Sequence, residues 1–297
     1  MLLEVRYASE FEYAGPVRES HNMLRACPAT DHHQRMMSYA VTVEPTSRML
    51  SHLDYWGTRV DEFGIRPPHD RLVVVAESVV DTSVRPVPDD VDVAVSAYAA
   101  DEIVLGHHEL LQRSPHTSWG DAVAGVARAA IAGEESAVPA IQTIHDRVVE
   151  IIDYVPGATF VGMDVNQVMD QGQGVCQDFA HLAVAMCRSV GIPARYVSGY
   201  LYTSDQTTGE EPVEPEVEIQ THAWIETLVP GWGWWALDPT NRSNVGEQHI
   251  KIGHGRDYDD VLPLRGTYHG PAEHLLGVQV RISRESLSAM EAMTFDQ

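Results

Sequence analysis

One cysteine stands at the start of an apolar segment and carries the clearest chemical signal in the chain. Cys176 follows Gly172 and Gly174, which permit a tight turn, and the segment runs on to Gly191-Ile192-Pro193, residue types that end helices. The pattern predicts a buried helix over residues 176–190 with the cysteine in its first turn. The free N–H groups and the positive dipole end found there favour a thiolate, the nucleophilic form of cysteine. The alternative is a small, buried, unreactive cysteine.

A predicted β-hairpin supplies the partner groups that a reactive thiolate needs. Two strand-like runs flank Val229-Pro230-Gly231-Trp232-Gly233, a sequence typical of a turn. A hairpin centred on Pro230 places His222 directly opposite Asp238, at a Cβ separation of about 4.5–5.5 Å that lets the carboxylate hold an imidazole N–H. A shift of register by one residue would turn the two side chains to opposite faces. The alternatives are a packed histidine and an aspartate that only shapes the turn at Pro239.

Cysteine, histidine and aspartate together are the residue types of nucleophilic acyl chemistry. The histidine serves as the base and as the imidazolium that sustains the thiolate, and the aspartate fixes the histidine tautomer. We therefore predict that the fold brings Cys176, His222 and Asp238 together as a catalytic triad. Two other classes stay open, namely an interaction module without chemistry and a structural metal protein. The histidine clusters lack the spacing of a zinc site, so we predict no metal and no other cofactor.

Four runs of the sequence, in a fixed order over residues 143–241, form a pattern more specific than the three residues alone. They are Gly174-Val175-Cys176-Gln177-Asp178-Phe179-Ala180-His181-Leu182, Gly191-Ile192-Pro193-Ala194-Arg195-Tyr196-Val197-Ser198-Gly199-Tyr200, His222-Ala223-Trp224-Ile225-Glu226 and Leu237-Asp238-Pro239-Thr240-Asn241. Together they resemble the bacterial transglutaminase-like, papain-related thiol enzymes. The N-terminal part is similar to the β domain of that family through Trp56-Gly57-Thr58-Arg59-Val60, with Thr58 in place of the usual Asn.

The resemblance implies an α+β fold. In that fold an N-terminal antiparallel β domain precedes a transglutaminase-like, papain-like core, in which the cysteine begins a buried helix packed on an antiparallel sheet. It also implies that the triad of Cys176, His222 and Asp238 acts on a peptide, isopeptide or other amide bond through an acyl-thioester. We predict hydrolysis, because water is the abundant acceptor. Acyl transfer to an amine, for crosslinking or exchange, is the alternative for the same triad.

Two aromatic residues are candidates for contact with the substrate. Trp224 shares a strand face with His222, and Tyr200 belongs to the preceding predicted strand. We predict that both contact the substrate. A core aromatic is the alternative interpretation of Trp224.

The remaining pattern predicts the elements that must hold these residues in place. Short Val- and Tyr-rich runs predict antiparallel strands, and a further strand over residues 274–282 is expected to return to their sheet. Helical periodicity begins at Asp101, and another helix starts near Pro139. The predicted parts are an N-terminal antiparallel β domain (residues 1–88), a helical linker region (89–138), the catalytic core (139–250) and a C-terminal segment (251–297).

An acidic run separates the strand near Tyr200 from the strand of His222. Residues 203–218 contain six acidic residues, two prolines and no base, and they predict a loop. One interpretation is a lid whose acids repel anionic substrates or attract cationic ones. The other is a solvated loop without a role.

Length, composition and charge limit the partners. The chain of 297 residues has 20 Lys and Arg against 43 Asp and Glu, a formal net charge of −23. Nucleic acids and anionic membranes select basic surfaces, so we expect neither as a main partner. With three cysteines, no basic-then-apolar leader and no apolar run of about 18 residues, the sequence predicts a cytoplasmic protein with reduced thiols. The oligomeric state stays open.

Overall fold

The computed structural model describes residues 1–160, 162–203, 216–219, 221–271 and 273–284, the segment 216–219 by its backbone alone. The strands in this part of the chain are β1 (Leu2–Leu24), β2 (Gln34–Glu44), β3 (Met49–Leu53), β4 (Arg59–Ile65), β5 (His69–Thr82), β6 (Asp153–Tyr154), β7 (Gln173–Gly174), β8 (Ala194–Leu201), β9 (Glu216–Ile219), β10 (Thr221–Val229), β11 (Gly233–Asp238), β12 (Ser243–Asn244), β13 (His249–Gly255), β14 (Leu264–His269) and β15 (His274–Arg284). The α-helices are α1 (Asp101–Gly106), α2 (Asp121–Ala130), α3 (Ala137–Ile151), α4 (Val165–Gln171) and α5 (Cys176–Ser189).

The long strand β1 organises an eight-stranded antiparallel sheet. Its first half pairs with β5 and β15, and its second half pairs with β4 and β14. Alternate side chains of the first half, Leu3, Val5 and Tyr7, are buried, which is the period-two pattern of a sheet with one covered face. The antiparallel β domain is therefore confirmed. The return of the last strand is confirmed too, because β15 pairs with β1 from Leu3 to Tyr13.

The prediction that residues 203–218 form a loop is wrong for the last residues of this range. Residues 216–219 form β9, which pairs antiparallel with β15 at the edge of the β domain. The sequence there, Glu-Val-Glu-Ile, alternates charged and apolar residues, which is a strand pattern hidden in an acidic run. Residues 204–215 of the predicted loop lie outside the described residues, and so does any test of the lid interpretation.

The second sheet has five strands in the order β12-β11-β10-β8-β13. Helix α5 packs on it and is buried along most of its length, because its side chains from Phe179 to Cys187 are small or apolar except for His181. Helix α2 packs on α5 through Val123 and Ala127, both fully buried. The predicted linker region therefore contributes a helix to the catalytic core.

The two sheets share an interface along β13. Ile250 and Ile252 of β13 are buried in the apolar core of the β domain. Gln34 also clamps the backbone of Lys251, accepting from its N–H through Oε1 and donating to its carbonyl through Nε2, both at 2.8 Å. The domain boundary predicted after residue 250 falls inside this strand. Within the described residues, no helix is long and apolar enough to span a bilayer.

Candidate active site

Helix α5 begins at Cys176, as predicted, and a short turn after α4 fixes this start. Asp178 Oδ2 accepts a hydrogen bond from the Val175 N–H at 2.8 Å, and the Val175 carbonyl accepts from the Asp178 N–H at 2.8 Å. Glycine is required at position 174, because a Cβ there would lie 2.7 Å from Asp178 Cβ. The free, partly exposed Cys176 side chain thus stands at the positive end of a helix, where a negative charge is stabilised.

His222 and Asp238 are in direct contact, although the hairpin register differs from the predicted one. His222 Nε2 donates to Asp238 Oδ2 at 2.7 Å. Strands β10 and β11 pair with Ile225 opposite Leu237, which centres the hairpin on Gly231, one residue later than predicted. The two side chains are therefore diagonal neighbours, and the prediction that they are directly opposed is wrong. Because the shift changes the pairing by an even number of residues, both stay on one face and within reach.

Asp238 is fully buried at the end of β11 and accepts hydrogen bonds on both oxygens. Besides His222, His249 Nε2 at 3.0 Å and Asn241 Nδ2 at 2.7 Å donate to Oδ2. The backbone N–H groups of Thr240 and Asn241 donate to Oδ1 at 3.0 and 3.2 Å. Burial opposes a charge, but these donors hold the pKa of Asp238 far below its ordinary value, so the carboxylate stays ionised at neutral pH.

The protonation of His222 follows from its two neighbours. Burial lowers the pKa of His222, whereas hydrogen bonds to Asp238 and Cys176 and the negative charges of both groups raise it, with the net result of about 9. Because Nε2 is bound to the carboxylate, the hydrogen bond with Cys176 falls to the other ring nitrogen, Nδ1. An imidazolium is therefore the main form of His222 at neutral pH.

His249 is a second histidine on the same carboxylate, and the sequence analysis assigned it no role. Its Nδ1 accepts from the Gly246 N–H at 3.2 Å, so its Nε2 carries the proton that is donated to Asp238. No motif marks this residue, because it belongs to β13, which joins the sheet beside β8 rather than beside β11. It donates to the same carboxylate oxygen as His222.

Cys176 and His222 form part of the wall of a cleft of about 440 Å³. Further lining comes from Tyr154 of β6 and from Phe160 in the segment between β6 and α4, which are 54% and 69% exposed. Thr159 ties this segment to α5, because its hydroxyl donates to Asp178 Oδ2 at 2.6 Å. Among the described residues, no lysine or arginine lines the cleft.

His181 also reaches the cleft but is committed to the fold. Its Nε2 accepts from the Tyr258 N–H at 3.2 Å, and its ring stacks between His116 and Tyr196 at centroid distances of 5.1 and 4.7 Å. Burial, helped by the positive charges of His116 and Arg188, holds the pKa of His181 well below 6.5. A packed histidine whose Nε2 already accepts a backbone N–H is poorly placed to act as a base.

Trp224 and Tyr200, the two predicted substrate contacts, do not line the cleft. Trp224 is 1% exposed and forms a small apolar cluster with Val197, Ala236 and Val245. Tyr200 is 2% exposed, and its ring stacks on Tyr7 of the β domain at 6.5 Å. Both predictions are wrong, because other elements cover the strand faces that carry these residues.

The other two cysteines are free, buried and poorly suited to chemistry. Burial raises the pKa of Cys27 to about 11 and that of Cys187 to about 12. Cys187 lies in the apolar core around α5.

Two groups of side chains bring ligand-type atoms close together in the described residues. The first is His222, Asp238 and His249, in which both histidines turn an Nε2 toward the carboxylate as hydrogen-bond partners. The second is His116, Asp257 and Asp259, in which Asp257 caps backbone N–H groups of the other two residues. Hydrogen bonds within the chain account for both arrangements, so neither needs an ion to explain it.

Family models match both parts of the chain. The model of the transglutaminase-like superfamily matches residues 124–239, which include Cys176, His222 and Asp238. The model of the bacterial transglutaminase-like N-terminal region matches residues 3–81, which span β1 to β5. The first match begins within α2 and so agrees with the packing of that helix on α5.

Three relatives are similar in sequence, two of them along almost the whole chain and one over a short part of it. An uncharacterised protein from Mycobacterium leprae (strain TN) is 35% identical over 291 residues, which are 95% of this chain and 98% of that protein. An uncharacterised protein from Mycobacterium tuberculosis (strain ATCC 25618 / H37Rv) is 30% identical over 91% of this chain and 88% of its own length. A protein-glutamine gamma-glutamyltransferase from Pseudomonas aeruginosa is 31% identical over 86 residues, 29% of this chain and 12% of that protein.

One solved structure shares the fold along almost the whole chain. It is the crystal structure of a candidate cysteine protease from Cytophaga hutchinsonii, with a TM-score of 0.75 and 19% sequence identity, covering 97% of this chain and 92% of that one. The likeness extends over both the β domain and the core. The chain therefore belongs to the transglutaminase-like superfamily and carries the bacterial transglutaminase-like N-terminal region.

Proposed function

We propose that this protein is a cysteine amide hydrolase that cleaves a peptide, isopeptide or other amide bond through an acyl-thioester on Cys176. The observation that carries the proposal is the orientation of His222. Its Nε2 is held at 2.7 Å by a buried carboxylate, and Nδ1 remains for the hydrogen bond with the thiol of Cys176. The cleft beside the thiol gives an amide access to it. Asp238 is the positioning member of the triad.

Acylation begins with the attack of Cys176 Sγ on the amide carbonyl carbon. The first N–H groups of α5 have no partner within the helix, so the Cys176 N–H is available to the oxygen that becomes negative. The imidazolium of His222 then gives its Nδ1 proton to the leaving nitrogen, and the C–N bond breaks. An amine departs, and a thioester and a neutral imidazole remain.

Deacylation uses the same groups in reverse. Neutral His222 takes a proton from water through Nδ1, the water oxygen attacks the thioester carbonyl, and the C–S bond breaks. A carboxylic acid leaves, and the thiolate and the imidazolium are restored. Since the cleft is open to solvent, water reaches the thioester, which favours hydrolysis.

The test is a direct search for the acyl intermediate. Purified protein is incubated with a library of peptides and small amides, and intact-mass and peptide-mapping mass spectrometry locates any adduct. We expect acylation on Cys176 alone, and none in Cys176→Ala. The buried Cys27 and Cys187 serve as internal controls in the same spectra. A library that acylates Cys176→Ala as readily as the wild type would contradict the proposal.

Acyl transfer to an amine is the second candidate. It is favoured by the similarity of 86 residues to a protein-glutamine gamma-glutamyltransferase from Pseudomonas aeruginosa. The same thioester would be attacked by a primary amine instead of water. Adding a fluorescent primary amine to the acylated protein separates the two functions. If the protein is a hydrolase, the free acid forms at a rate that the added amine does not change. If it is an acyltransferase, a labelled amide forms at a rate proportional to the amine concentration.

A further inference from the structure

A second cavity, of about 560 Å³, lies between the β domain and the five-stranded sheet. None of its lining residues lines the cleft at Cys176. Strand β10 connects the two places, because His222 lies at the cleft and Glu226 lies at the second cavity. The volume is within the usual range for small-molecule sites.

A buried cluster of three charged residues forms one wall of this cavity. The Glu226 side chain, 4% exposed, accepts a hydrogen bond from Arg195 Nε at 2.6 Å, and Arg195 Nη2 forms an ion pair with the same oxygen at 2.5 Å. Lys251 Nζ, on a side chain 7% exposed, donates to both Glu226 oxygens at 2.8 and 2.7 Å. Burying ions in this way adds little stability compared with apolar residues of the same size, so stability alone does not account for the cluster.

The cluster leaves more hydrogen-bond donors than acceptors unused. Glu226 Oε2 accepts from Arg195 Nε and Lys251 Nζ, and Oε1 accepts from Lys251 Nζ. His254 Nε2 accepts from Arg195 Nη1 at 3.0 Å, so the ring carries its proton on Nδ1. Burial and the charges of Lys251 and Arg195 lower the pKa of His254 to about 3, which keeps this ring neutral. Lys251 and Arg195 have more N–H groups than these contacts use, so the wall can still bind an acceptor.

Thr58 adds an independent observation on the facing wall. It is 4% exposed, and its Oγ1 is buried without a hydrogen-bond partner among the described residues. A buried hydroxyl without a partner is costly, and native structures usually complete one with water, an ion or another bound group. Thr58 is one of the residues that line the cavity of the charged cluster.

Charge and shape indicate which ligand fits. Besides the cluster, the cavity is lined by an ion pair between Arg85 and Asp31 at 3.2 Å. The lining thus has three cationic side chains and two carboxylates, an excess of positive charge in a chain whose net charge is −23. Trp56 and Trp234 supply flat apolar walls, with the Arg195 guanidinium 4.0 Å from the Trp234 ring centroid. An anion with a flat apolar group satisfies both features.

We propose that this cavity binds a small aromatic carboxylate, with its oxygens toward Arg195, Lys251 and Thr58 and its ring against Trp56. The site is separate from the thiol cleft and does not depend on the function proposed for it. Binding can therefore be measured whether or not an amide substrate is known.

The test compares three probes of one shape that differ in charge: hydrocinnamate, its neutral amide hydrocinnamamide and the cation phenylpropylamine. Calorimetry measures binding to the full chain, and tryptophan fluorescence follows it through Trp56. We expect saturable binding of the carboxylate, at least about tenfold weaker binding of the amide, and none of the amine.

The variants localise the binding. Thr58→Val has nearly the same shape and removes a hydroxyl that has no hydrogen-bond partner in the part of the chain that the structure describes, so the protein should fold and bind hydrocinnamate about five- to tenfold more weakly. Trp56→Ala should weaken binding as well, and Cys176→Ala, the matched control at the other cleft, should leave it unchanged. The proposal is overturned if no probe saturates, if the amine or the amide binds as tightly as the carboxylate, or if Thr58→Val binds like the wild type.

Discussion

Replacing Asp238 by Asn tests whether the buried carboxylate sets the protonation of His222. The substitution keeps the shape of the side chain and removes the charge. Burial lowers the pKa of His222, and the hydrogen bond to Asp238 is the first of the contributions that raise it to about 9. An opposite charge in contact typically changes a pKa by about 1–3 units. We therefore predict that the pKa of His222 in Asp238→Asn is about 7.

The size of the effect follows from the wild-type value. The interval between 6.5 and about 9 corresponds to about 3 kcal/mol in favour of the imidazolium. At pH 8 the imidazolium fraction of His222 falls from about nine-tenths to about one-tenth when the pKa drops to about 7, so proton donation to the leaving group falls about tenfold. Because the folded pKa is raised, the contribution of His222 to stability is complete below about pH 6.5. It is lost as the pH rises through about 9.

Carbon-detected NMR of the histidine rings over pH 5 to about 10.5 measures these values without a substrate. The spectrum of His222→Gln identifies the His222 signal among the fifteen histidines. His254, whose pKa is lowered to about 3 chiefly by burial, is the internal control and should not titrate in this range in either protein. A His222 pKa that stays near 9 in Asp238→Asn would refute the reasoning, and so would a wild-type pKa near 6.5.

Three further predictions concern reactivity, division of labour and packing. In the native protein, iodoacetamide should modify Cys176 at least about 100-fold faster than the two buried cysteines, and site-resolved labelling in which either of those leads would contradict this. In steady-state kinetics, Cys176→Ala and His222→Ala should each lose at least about 10³-fold in activity, whereas Asp238→Ala should keep reduced but measurable turnover. Gly199→Ala should destabilise the fold by about 2 kcal/mol or more in thermal melts, because its Cβ would lie 2.1 Å from a backbone oxygen, while Gly277→Ala, with open space around its Cβ, should change stability little.

The sequence predicts the fold well where a pattern is local. Helix α5 begins at the predicted residue and ends one residue earlier, because glycine and proline stop it after a continuous apolar run. The pairing of β15 with β1 is long-range, yet it was expected because an isolated strand needs a sheet. The role of α2 was not predicted, since amphipathic periodicity shows that a face is buried without showing against what.

The candidate site is predictable in its residue types and less so in its geometry. The turn between β10 and β11 is Gly- and Trp-rich, and the exact residue on which it centres depends on the left-handed conformation of Gly231 and Gly233 rather than on Pro230. Spacing shows which residues share a strand face, but not what covers that face. Trp224 is covered by apolar side chains of its own sheet region, and Tyr200 is covered by the β domain.

His249 supports the candidate site through Asp238, but no sequence motif identifies it. Its bond to Asp238 depends on β13 lying beside β8, and β13 is held there from the β domain. Gln34 fixes the backbone of Lys251, and Thr82 Oγ1 donates to the Glu247 carbonyl at 2.6 Å, so the strand is anchored on both sides of the histidine. Without the β domain, β13 would expose its buried isoleucines and lose these anchors. The carboxylate that holds the His222 imidazole is thus positioned in part by a domain that contributes none of Cys176, His222 and Asp238, and the two sheets must act as one structural unit.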